Sequence, residues 1–394
     1  GGGGGGGGGK RAGRAQLLEE EHGAHLQENW DDGEGYYRAR VGETLADRYL
    51  VQGDLGKGVF STVVRARDQR SGAVVALKLI RNNDTMRKAA LKEISLLEEL
   101  TRRDPENKKH CVQLLATDEY RQHTMLVFEN LSMNLRETLK KFGRKVGINV
   151  KGVRTYGRQL FTALRHLAAL RIVHADIKPD NILVSANHSV IKICDFGSAF
   201  KEDDPENDPT PYLVSRFYRA PEIILGLPYD RSIDTWSVCT CLYELFTGHV
   251  MFTGRTNNDM LRLIQEVKAA FPKKLLKRHL AAYEELQLDP HFEEQSLRFR
   301  HIEADPVSGR PMVKLVDYTP GKPPTELKGA LLAAKSGTDD KRLVLELADL
   351  LEKGLAVDPA QRLSAGEAAA HPFLRHHEKG GGGGSGGHKK RHHA

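Results

Sequence analysis

The chain has 394 residues, of which 39% are apolar and 28% are charged, and these proportions are typical of a globular protein with a buried core. Its four cysteines are spaced unlike a disulfide framework or a zinc site, which indicates a reducing, intracellular compartment. The net charge of +7 is compatible with acidic partners but does not establish any. The sequence has no apolar run of about 18 residues and no signal-peptide stretch, so membrane insertion and secretion are not expected.

Glycine-rich segments lie near both ends of the sequence, at 1–9 and 380–387. Such segments cannot bury apolar surface, so both ends are predicted to be disordered. The basic, histidine-rich residues after the second segment could be a nuclear-import or nucleic-acid signal, although a solvated tail is the simpler interpretation. Aromatic residues between Trp30 and Tyr37 are expected to pack against the domain that follows.

From Tyr49 onward, short runs of branched apolar residues alternate with turns, which predicts an antiparallel sheet. The predicted strands are 49–55, 61–67, 73–80, 111–117 and 123–129. A helix is predicted at 85–100, because Ala90, Ile94 and Leu97 share one face. The pattern therefore predicts a small lobe with one sheet and one important helix.

Beyond Asn134 the pattern becomes mainly helical, with long candidate helices at 150–170 and 233–246. The polar segment 276–337 is predicted to be an irregular insertion with some β character at 312–316. The predicted fold class is α+β, with a small antiparallel-sheet lobe and a larger, mainly helical lobe. The predicted domain boundaries are 1–44 for a flanking extension, 45–131 for the small lobe, 132–375 for the large lobe with its insertion, and 376–394 for a disordered tail.

A glycine-rich hairpin is predicted at 56–63, between two strands. Gly56 and Gly58 would let backbone amides approach a polyphosphate. Taken alone, the pattern also fits a plain hairpin turn. Ser61 stands where such loops usually have a third glycine.

Lys78 ends an otherwise apolar strand, where a charge needs a counter-charge or a ligand. Glu93, on the inward face of the next helix, is the predicted partner. Their pairing would hold Lys78 toward the inner phosphates of a nucleotide. In the alternative interpretation, Lys78 extends to solvent and Glu93 is exposed. Glu98 and Glu99 are rival partners, but they lie nearer the end of the helix.

The motif His-Ala-Asp-Ile-Lys-Pro-Asp-Asn at 174–181 contains Asp176, Lys178 and Asn181. Phosphoryl transfer needs a carboxylate to accept the proton of the attacking hydroxyl, a cation near the transferred phosphate and an oxygen ligand for Mg²⁺. Asp195, which begins an Asp-Phe-Gly triplet, is the predicted second Mg²⁺ ligand. Each motif could occur by chance, but their joint occurrence in this order predicts phosphoryl transfer.

Residues 45–374 resemble the protein kinase superfamily. Besides the motifs above, the resemblance rests on Ala220-Pro221-Glu222, Asp234-x-Trp236-Ser237 and Asp358-Pro359-x-x-Arg362. It implies a bilobal kinase fold, the cofactors ATP and Mg²⁺, a pair between Glu222 and Arg362, and a bracing role for Asp234. Lys178 is typical of serine/threonine kinases rather than of dedicated tyrosine kinases.

The resemblance also implies the roles of individual site residues. The expected catalytic residues are Asp176, Lys178, Lys78 and Glu93, and the expected metal ligands are Asn181 and Asp195. The expected nucleotide contacts are Leu55, Gly56, Lys57, Gly58, Val59, Phe60, Ser61, Val63, Ala76, Lys78, Glu129 and Leu131. Phe128 would restrict the pocket behind the adenine.

Segment 210–222 resembles the activation segment of the group that contains cyclin-dependent, mitogen-activated, CDC-like and dual-specificity tyrosine-regulated kinases. In that group the arginine before Ala-Pro-Glu, here Arg219, can bond a phosphorylated tyrosine, here Tyr212, and so order the substrate-binding loop. Ala175 replaces the arginine that grips a phosphorylated loop in many kinases, so a phosphate on Thr210 would lack its usual anchor. We expect Tyr212 and Arg219 to be the regulatory pair, although Tyr212 could be an ordinary exposed tyrosine.

Several segments together resemble the pre-mRNA-processing factor 4 kinases, a splicing-associated family of the dual-specificity branch. These segments are 32–37, 58–61, 128–136, 174–176 and 210–222. The resemblance implies a nuclear enzyme that phosphorylates spliceosomal proteins and autophosphorylates on Tyr212, without direct nucleic-acid binding by the kinase domain and without membrane association. The long basic, serine-arginine-rich region of that family is absent from this sequence, so the sequence could be a fragment.

Two other classes are considered. The first is another kinase of the same group in stress or cell-cycle signalling, since Thr210-Pro211-Tyr212 resembles the Thr-x-Tyr lip of mitogen-activated kinases. Ala175 and segment 32–37 favour the splicing family over it. The second is a non-catalytic scaffold kinase, which would normally lack at least one catalytic residue. All four are present: Lys78, Asp176, Asn181 and Asp195.

Overall fold

The computed structural model describes residues 31–32, 34–143, 145–204, 210–305 and 308–375. Trp30, the basic tail and the glycine-rich ends, for which disorder was predicted, lie outside the described residues.

Within the described residues, six antiparallel strands form one sheet in the order β1-β2-β3-β4-β6-β5. They are β1 Thr44–Leu45, β2 Tyr49–Lys57, β3 Ser61–Asp68, β4 Val74–Ile80, β5 Leu114–Tyr120 and β6 His123–Glu129. The register makes Val63, Lys78 and Leu126 neighbours across three strands. Tyr37 joins the apolar core of this sheet, as the sequence predicted for the aromatics before the domain.

The predicted fourth strand is displaced. The sequence predicted 111–117, but β5 begins at Leu114. Cys111 forms an isolated parallel bridge with Ile193, a residue that is distant in sequence. Because an apolar residue can pair with any neighbouring edge, local composition did not reveal this change of partner.

Helix α1 spans Asp84–Arg103, close to the predicted 85–100. The Asn83 side chain caps it by accepting hydrogen bonds from the Thr85 and Met86 amides. Its buried face contains Ala90 and Glu93 together with leucines. The helix therefore presents a carboxylate, within an apolar stripe, toward the sheet.

The rest of the described chain is mainly helical. The helices are α2 Leu135–Thr138, α3 Val150–Ala169, α4 Pro221–Ile224, α5 Ser232–Thr247, α6 Asn257–Lys268, α7 Lys273–Glu285, α8 Leu327–Ala334, α9 Lys341–Gly354 and α10 Ala365–Ala369. Short strands connect them: β7 Met133–Asn134, β8 Ile172–Val173, β9 Ile182–Val184, β10 Ile191–Ile193, β11 Phe200–Lys201, β12 Phe299–Ala304 and β13 Pro311–Val316. Among the described helices, none combines the length and the apolar character needed to span a bilayer.

Helix α5 is the centre of the large lobe, and nearly all of its residues are buried. Helix α9 packs very closely against it at Gly354, where an added Cβ would lie 2.3 Å from the sulfur of Cys239. Only a glycine permits this approach. The two predicted long helices are thus present as α3 and α5, and the α+β fold class is confirmed.

The prediction that 276–337 is irregular was wrong in two places. Helix α7 occupies the start of this segment, and α8 lies near its end. Between them β12 and β13 form a hairpin, which includes the β character predicted at 312–316. Helix α7 was missed because two polar residues, His279 and Tyr283, complete its buried stripe.

Candidate active site

A cavity of about 420 Å³ lies between the sheet and the large lobe. Of the predicted nucleotide contacts, those that line it are Leu55, Gly58, Ser61, Val63, Ala76, Lys78, Glu129 and Leu131. Those that do not line it are Gly56, Lys57, Val59 and Phe60. Its other lining residues are Asp54, Glu93, Val112, Phe128, Asn130, Ser132, Met133, Asn134, Glu137, Asp180, Leu183, Cys194 and Asp195. The cavity has the size of a small-molecule site.

Lys78 joins the two lobes at the inner end of this cavity. Its Nζ donates to Glu93 Oε1 at 2.7 Å and Oε2 at 3.0 Å, and to Asp195 Oδ1 at 3.0 Å. Burial would lower the pKa of Lys78, but the charges of the two carboxylates outweigh it, so its pKa lies above the ordinary value. Of the rival glutamates, Glu99 pairs with Lys201 instead, and Glu98 is exposed.

Lys178 and Asn181 both contact the carboxylate of Asp176. Lys178 Nζ donates to Asp176 Oδ2 at 2.7 Å, and Asn181 Nδ2 donates to the same oxygen at 3.0 Å. The other oxygen, Oδ1, accepts from the Ser215 hydroxyl at 2.7 Å, and that hydroxyl accepts from Lys178 Nζ at 2.9 Å. The carboxylate is therefore held at both oxygens. Sequence reasoning missed Ser215, and only its place shortly before Ala220 could have pointed to it.

Helix α5 stabilises the backbone just before Asp176 through the side chain of Asp234. The Asp234 carboxylate accepts from the His174 amide at 2.7 Å and from the Ala175 amide at 3.0 Å. This contact holds Ala175 in the left-handed region, with φ at 61°. Burial raises the pKa of Asp234, although these hydrogen bonds act in the opposite direction. The His174 ring donates to the Cys194 carbonyl at 3.0 Å and so ties this loop to Asp195.

Asn181 and Asp195 supply oxygen atoms that fit a divalent cation. Because Asn181 donates through Nδ2 to Asp176, its Oδ1 is directed away from that carboxylate. Burial would raise the pKa of Asp195, but Lys78 outweighs it and lowers the pKa, so the carboxylate is ionised. The Asn181 carbonyl accepts a 3.0 Å hydrogen bond from the amide of Cys194, the residue just before Asp195. Carboxylate and amide oxygens are ligands that Mg²⁺ accepts.

Comparison with known proteins decides the family. Residues 49–374 match the family model described as protein kinase domain. The chain belongs to the protein kinase family.

Three relatives narrow the position of this kinase within the family. It is 47% identical over 351 residues to the serine/threonine-protein kinase prp4 of Schizosaccharomyces pombe, a match that covers 89% of this chain and 71% of that protein. It is 44% identical over 355 residues to the serine/threonine-protein kinase prpf4B of Dictyostelium discoideum, covering 89% of this chain and 42% of that protein. It is 32% identical over 347 residues to the dual specificity tyrosine-phosphorylation-regulated kinase 2 of Drosophila melanogaster, a match that covers 88% of this chain and 44% of that protein.

These matches confirm the resemblance to the pre-mRNA-processing factor 4 kinases and, more widely, to the dual-specificity branch. The predicted bilobal kinase fold and the predicted enzyme class, a protein serine/threonine kinase, are confirmed with them. Protein kinases use ATP and Mg²⁺. The chain spans less than half the length of the second and third relatives.

In the activation segment of this kinase, the guanidinium of Arg219 donates hydrogen bonds to uncharged oxygen atoms. Its guanidinium donates to the carbonyls of Tyr212 at 2.9 Å, Leu213 at 2.7 Å and Val214 at 2.8 Å. Burial, together with the nearby charge of Arg216, lowers the pKa of Arg219 to about 10. Arg219 thus contacts the backbone of Tyr212, whose side chain is 67% exposed.

The remaining residues predicted from the sequence are Thr210 and the pair of Glu222 and Arg362. The Thr210 hydroxyl accepts weakly from the Tyr212 amide at 3.4 Å. Glu222 accepts two hydrogen bonds from Arg362, at 2.6 and 2.8 Å, and both side chains are buried. This bidentate pair fixes the end of the activation segment to the turn before α10, as the kinase resemblance implies.

Proposed function

We propose that this kinase transfers the γ-phosphate of ATP to serine and threonine hydroxyls of pre-mRNA splicing proteins in the nucleus. The observation that carries the catalytic part is the carboxylate of Asp176, which is held by Lys178, Asn181 and Ser215 beside the Lys78–Glu93–Asp195 group. The splicing and nuclear parts rest on the similarity to the pre-mRNA-processing factor 4 kinases.

In the proposed mechanism ATP occupies the cavity, with its purine against the backbone from Glu129 to Leu131. Lys78 binds the inner phosphates and is kept extended by Glu93. Bound Mg²⁺, held by Asn181 and Asp195, would neutralise phosphate charge. A substrate hydroxyl approaches Asp176, which orients it and accepts its proton.

Lys178 and Ser215 have separate tasks in this mechanism. Lys178 lies 2.7 Å from Asp176 and supplies a positive charge near the transferred phosphate. Ser215 fixes the second carboxylate oxygen, so that one oxygen is directed toward the substrate. The proton that leaves the substrate hydroxyl is held on Asp176, and the phosphate moves to the substrate oxygen as its bond to ADP breaks.

Tyr212 is proposed to be an autophosphorylation site that regulates activity. Arg219 carries a partly desolvated charge on neutral acceptors, and a phosphate on Tyr212 would provide an anionic partner. We expect Tyr212→Phe to lower kcat/KM by about tenfold, because one charge-assisted contact that orders the loop is lost. Phosphotyrosine mapping and steady-state kinetics would check this, and full activity of the variant would contradict it.

Incubation of the kinase with ATP, Mg²⁺ and nuclear extract tests the substrate class. Phosphosites would be mapped by mass spectrometry, with Asp195→Ala as the control. New phosphoserine and phosphothreonine on splicing factors, absent from the control, would support the proposal. Labelling confined to other proteins would favour a stress or cell-cycle kinase, and no transfer at all would favour a scaffold.

A further inference from the structure

The residues just before the kinase domain form a closed loop, which we call the N-terminal strap (residues 31, 32 and 34–37). An antiparallel bridge joins Asp31 to Tyr37, and the Asp32 amide donates to the Tyr36 carbonyl at 2.9 Å. The Asp32 carboxylate accepts from the amides of Glu34 and Tyr36, each at 3.0 Å. The strap is therefore held together by its own backbone and by the Asp32 side chain.

One side of the strap is anchored on the sheet, just after the end of β4 and at the start of β6. The Asn82 amide donates to the Gly35 carbonyl at 2.8 Å, and the His123 ring contacts Asp31 Oδ1 at 2.8 Å. Tyr37 is buried in the sheet core and its hydroxyl donates to Glu43. These contacts set the position of the strap independently of the cavity.

The other side of the strap contacts the tip of the glycine-rich hairpin. The Tyr36 hydroxyl donates to the Val59 carbonyl at 2.6 Å, and Lys57 Nζ donates to Asp32 Oδ2 at 2.7 Å. The same ammonium lies 3.8 Å from the centre of the Tyr36 ring. The hydrogen bond from Lys57 lowers the pKa of Asp32 to about 2, so this carboxylate is ionised at neutral pH.

These contacts set the direction of a peptide group in the hairpin. The peptide between Val59 and Phe60 is planar and trans, so its N–H points opposite to its carbonyl. Since the carbonyl points to Tyr36, the Phe60 amide points away from the strap. Val59 and Phe60 are 69% and 47% exposed, so apolar burial contributes little to holding this turn.

We propose that Tyr36 and Asp32 are positioning residues for ATP, because they hold the tip of the glycine-rich hairpin, whose residues Gly58 and Ser61 line the cavity. This inference rests on the proposed ATP-dependent function. It also explains the placement of Lys57, which the sequence predicted at the nucleotide and which pairs with the strap instead. The strap acts through the hairpin and touches no substrate atom.

Two substitutions and two matched controls test the proposal. Tyr36→Phe removes one hydroxyl, and Tyr37→Phe makes the same change in the neighbouring residue, which contacts Glu43. Asp32→Asn removes one negative charge, and Glu34→Gln does so at an exposed carboxylate in the same strap. KM for ATP, kcat, the inhibition constant of adenosine and the melting temperature are measured for each full-length variant.

We expect Tyr36→Phe and Asp32→Asn to raise KM for ATP by about threefold to tenfold, the equivalent of one hydrogen bond. Adenosine lacks phosphates, so its inhibition constant should not change. The two controls should keep the wild-type KM. Lys57→Met removes the same ion pair and also the contact with the Tyr36 ring, so it should raise KM at least as much as Asp32→Asn, and the double variant should be no worse than Lys57→Met alone.

Three results would overturn the proposal. An unchanged KM in Tyr36→Phe and Asp32→Asn would show that the strap does not position the hairpin. An equal loss of adenosine binding would indicate general destabilisation of the sheet. If the wild-type protein itself binds no ATP, the proposed function fails together with this inference, whereas an unaffected variant of an active wild type contradicts the inference alone.

Discussion

At the scale of single residues, Asp176 depends on a hydroxyl that lies 39 positions later in the chain. Ser215 donates to one carboxylate oxygen and accepts from Lys178, which donates to the other. A carboxylate with both oxygens engaged has a fixed orientation, and fixed orientation is what proton acceptance from a substrate requires.

Replacement of Ser215 tests this arrangement. We expect Ser215→Ala to lower kcat by about tenfold to a hundredfold, since a hydrogen bond to a charged group is lost. ATP affinity should be unchanged, because Ser215 does not line the cavity. Ser215→Thr keeps the hydroxyl and should recover most of the rate. Single-turnover transfer and nucleotide binding would be measured, and equal rates for Ala and Thr would contradict the role.

At the scale of elements, α7 and the segment after it contain a buried neutral histidine, His279, and a partly buried one, His291. His279 donates through Nδ1 to the Leu225 carbonyl and accepts at Nε2 from the His291 amide. His291 lies beside Tyr283, whose hydroxyl donates to the Ile224 carbonyl and can therefore accept from His291 Nε2. The network joins α7 to the end of α4, just after Glu222.

The network predicts a loss of stability in acid. Burial lowers the pKa of His279 to about 4. Burial, together with the charge that His279 carries once it is protonated, lowers the pKa of His291 to about 3. Unfolded histidines bind protons below about 6.5, whereas the folded ones stay neutral, so the unfolded state binds more protons. The unfolding free energy should therefore fall between pH 6.5 and pH 4, by up to about 1.4 kcal/mol per pH unit and histidine.

Chemical denaturation at several pH values measures this loss. His279→Asn, which can still donate to the Leu225 carbonyl, should be less stable at pH 7 but should have a smaller slope between pH 6.5 and pH 4. An unchanged slope in His279→Asn would contradict the assignment of a neutral buried imidazole.

At the scale of the whole molecule, motif order predicted more than local pattern did. Lys78 and Asp195, which are 117 positions apart, could be assigned to one site because their motifs follow each other in a known order. Ser215 and Tyr36 lie in two segments that carried the family resemblance, 210–222 and 32–37, but no role was predicted for either residue, because their contacts depend on how the chain folds back. The same reason explains Cys111, whose pairing with Ile193 is not encoded in its own neighbourhood. Helices with a continuous apolar stripe were predicted well. Helix α7 was not, because its buried stripe includes polar residues that form hydrogen bonds inside the protein, and a sequence pattern assigns such residues to the surface.

Phosphate transfer by Asp176→Asn is the most direct measurement of the central claim, that this kinase uses Asp176 to accept the proton of a serine or threonine hydroxyl. An asparagine keeps the shape but cannot accept that proton. We expect single-turnover transfer from ATP to fall at least about a hundredfold, while the dissociation constant for ATP stays within about twofold of wild type. Transfer at the wild-type rate, or a loss that follows from weaker ATP binding, would contradict the central claim.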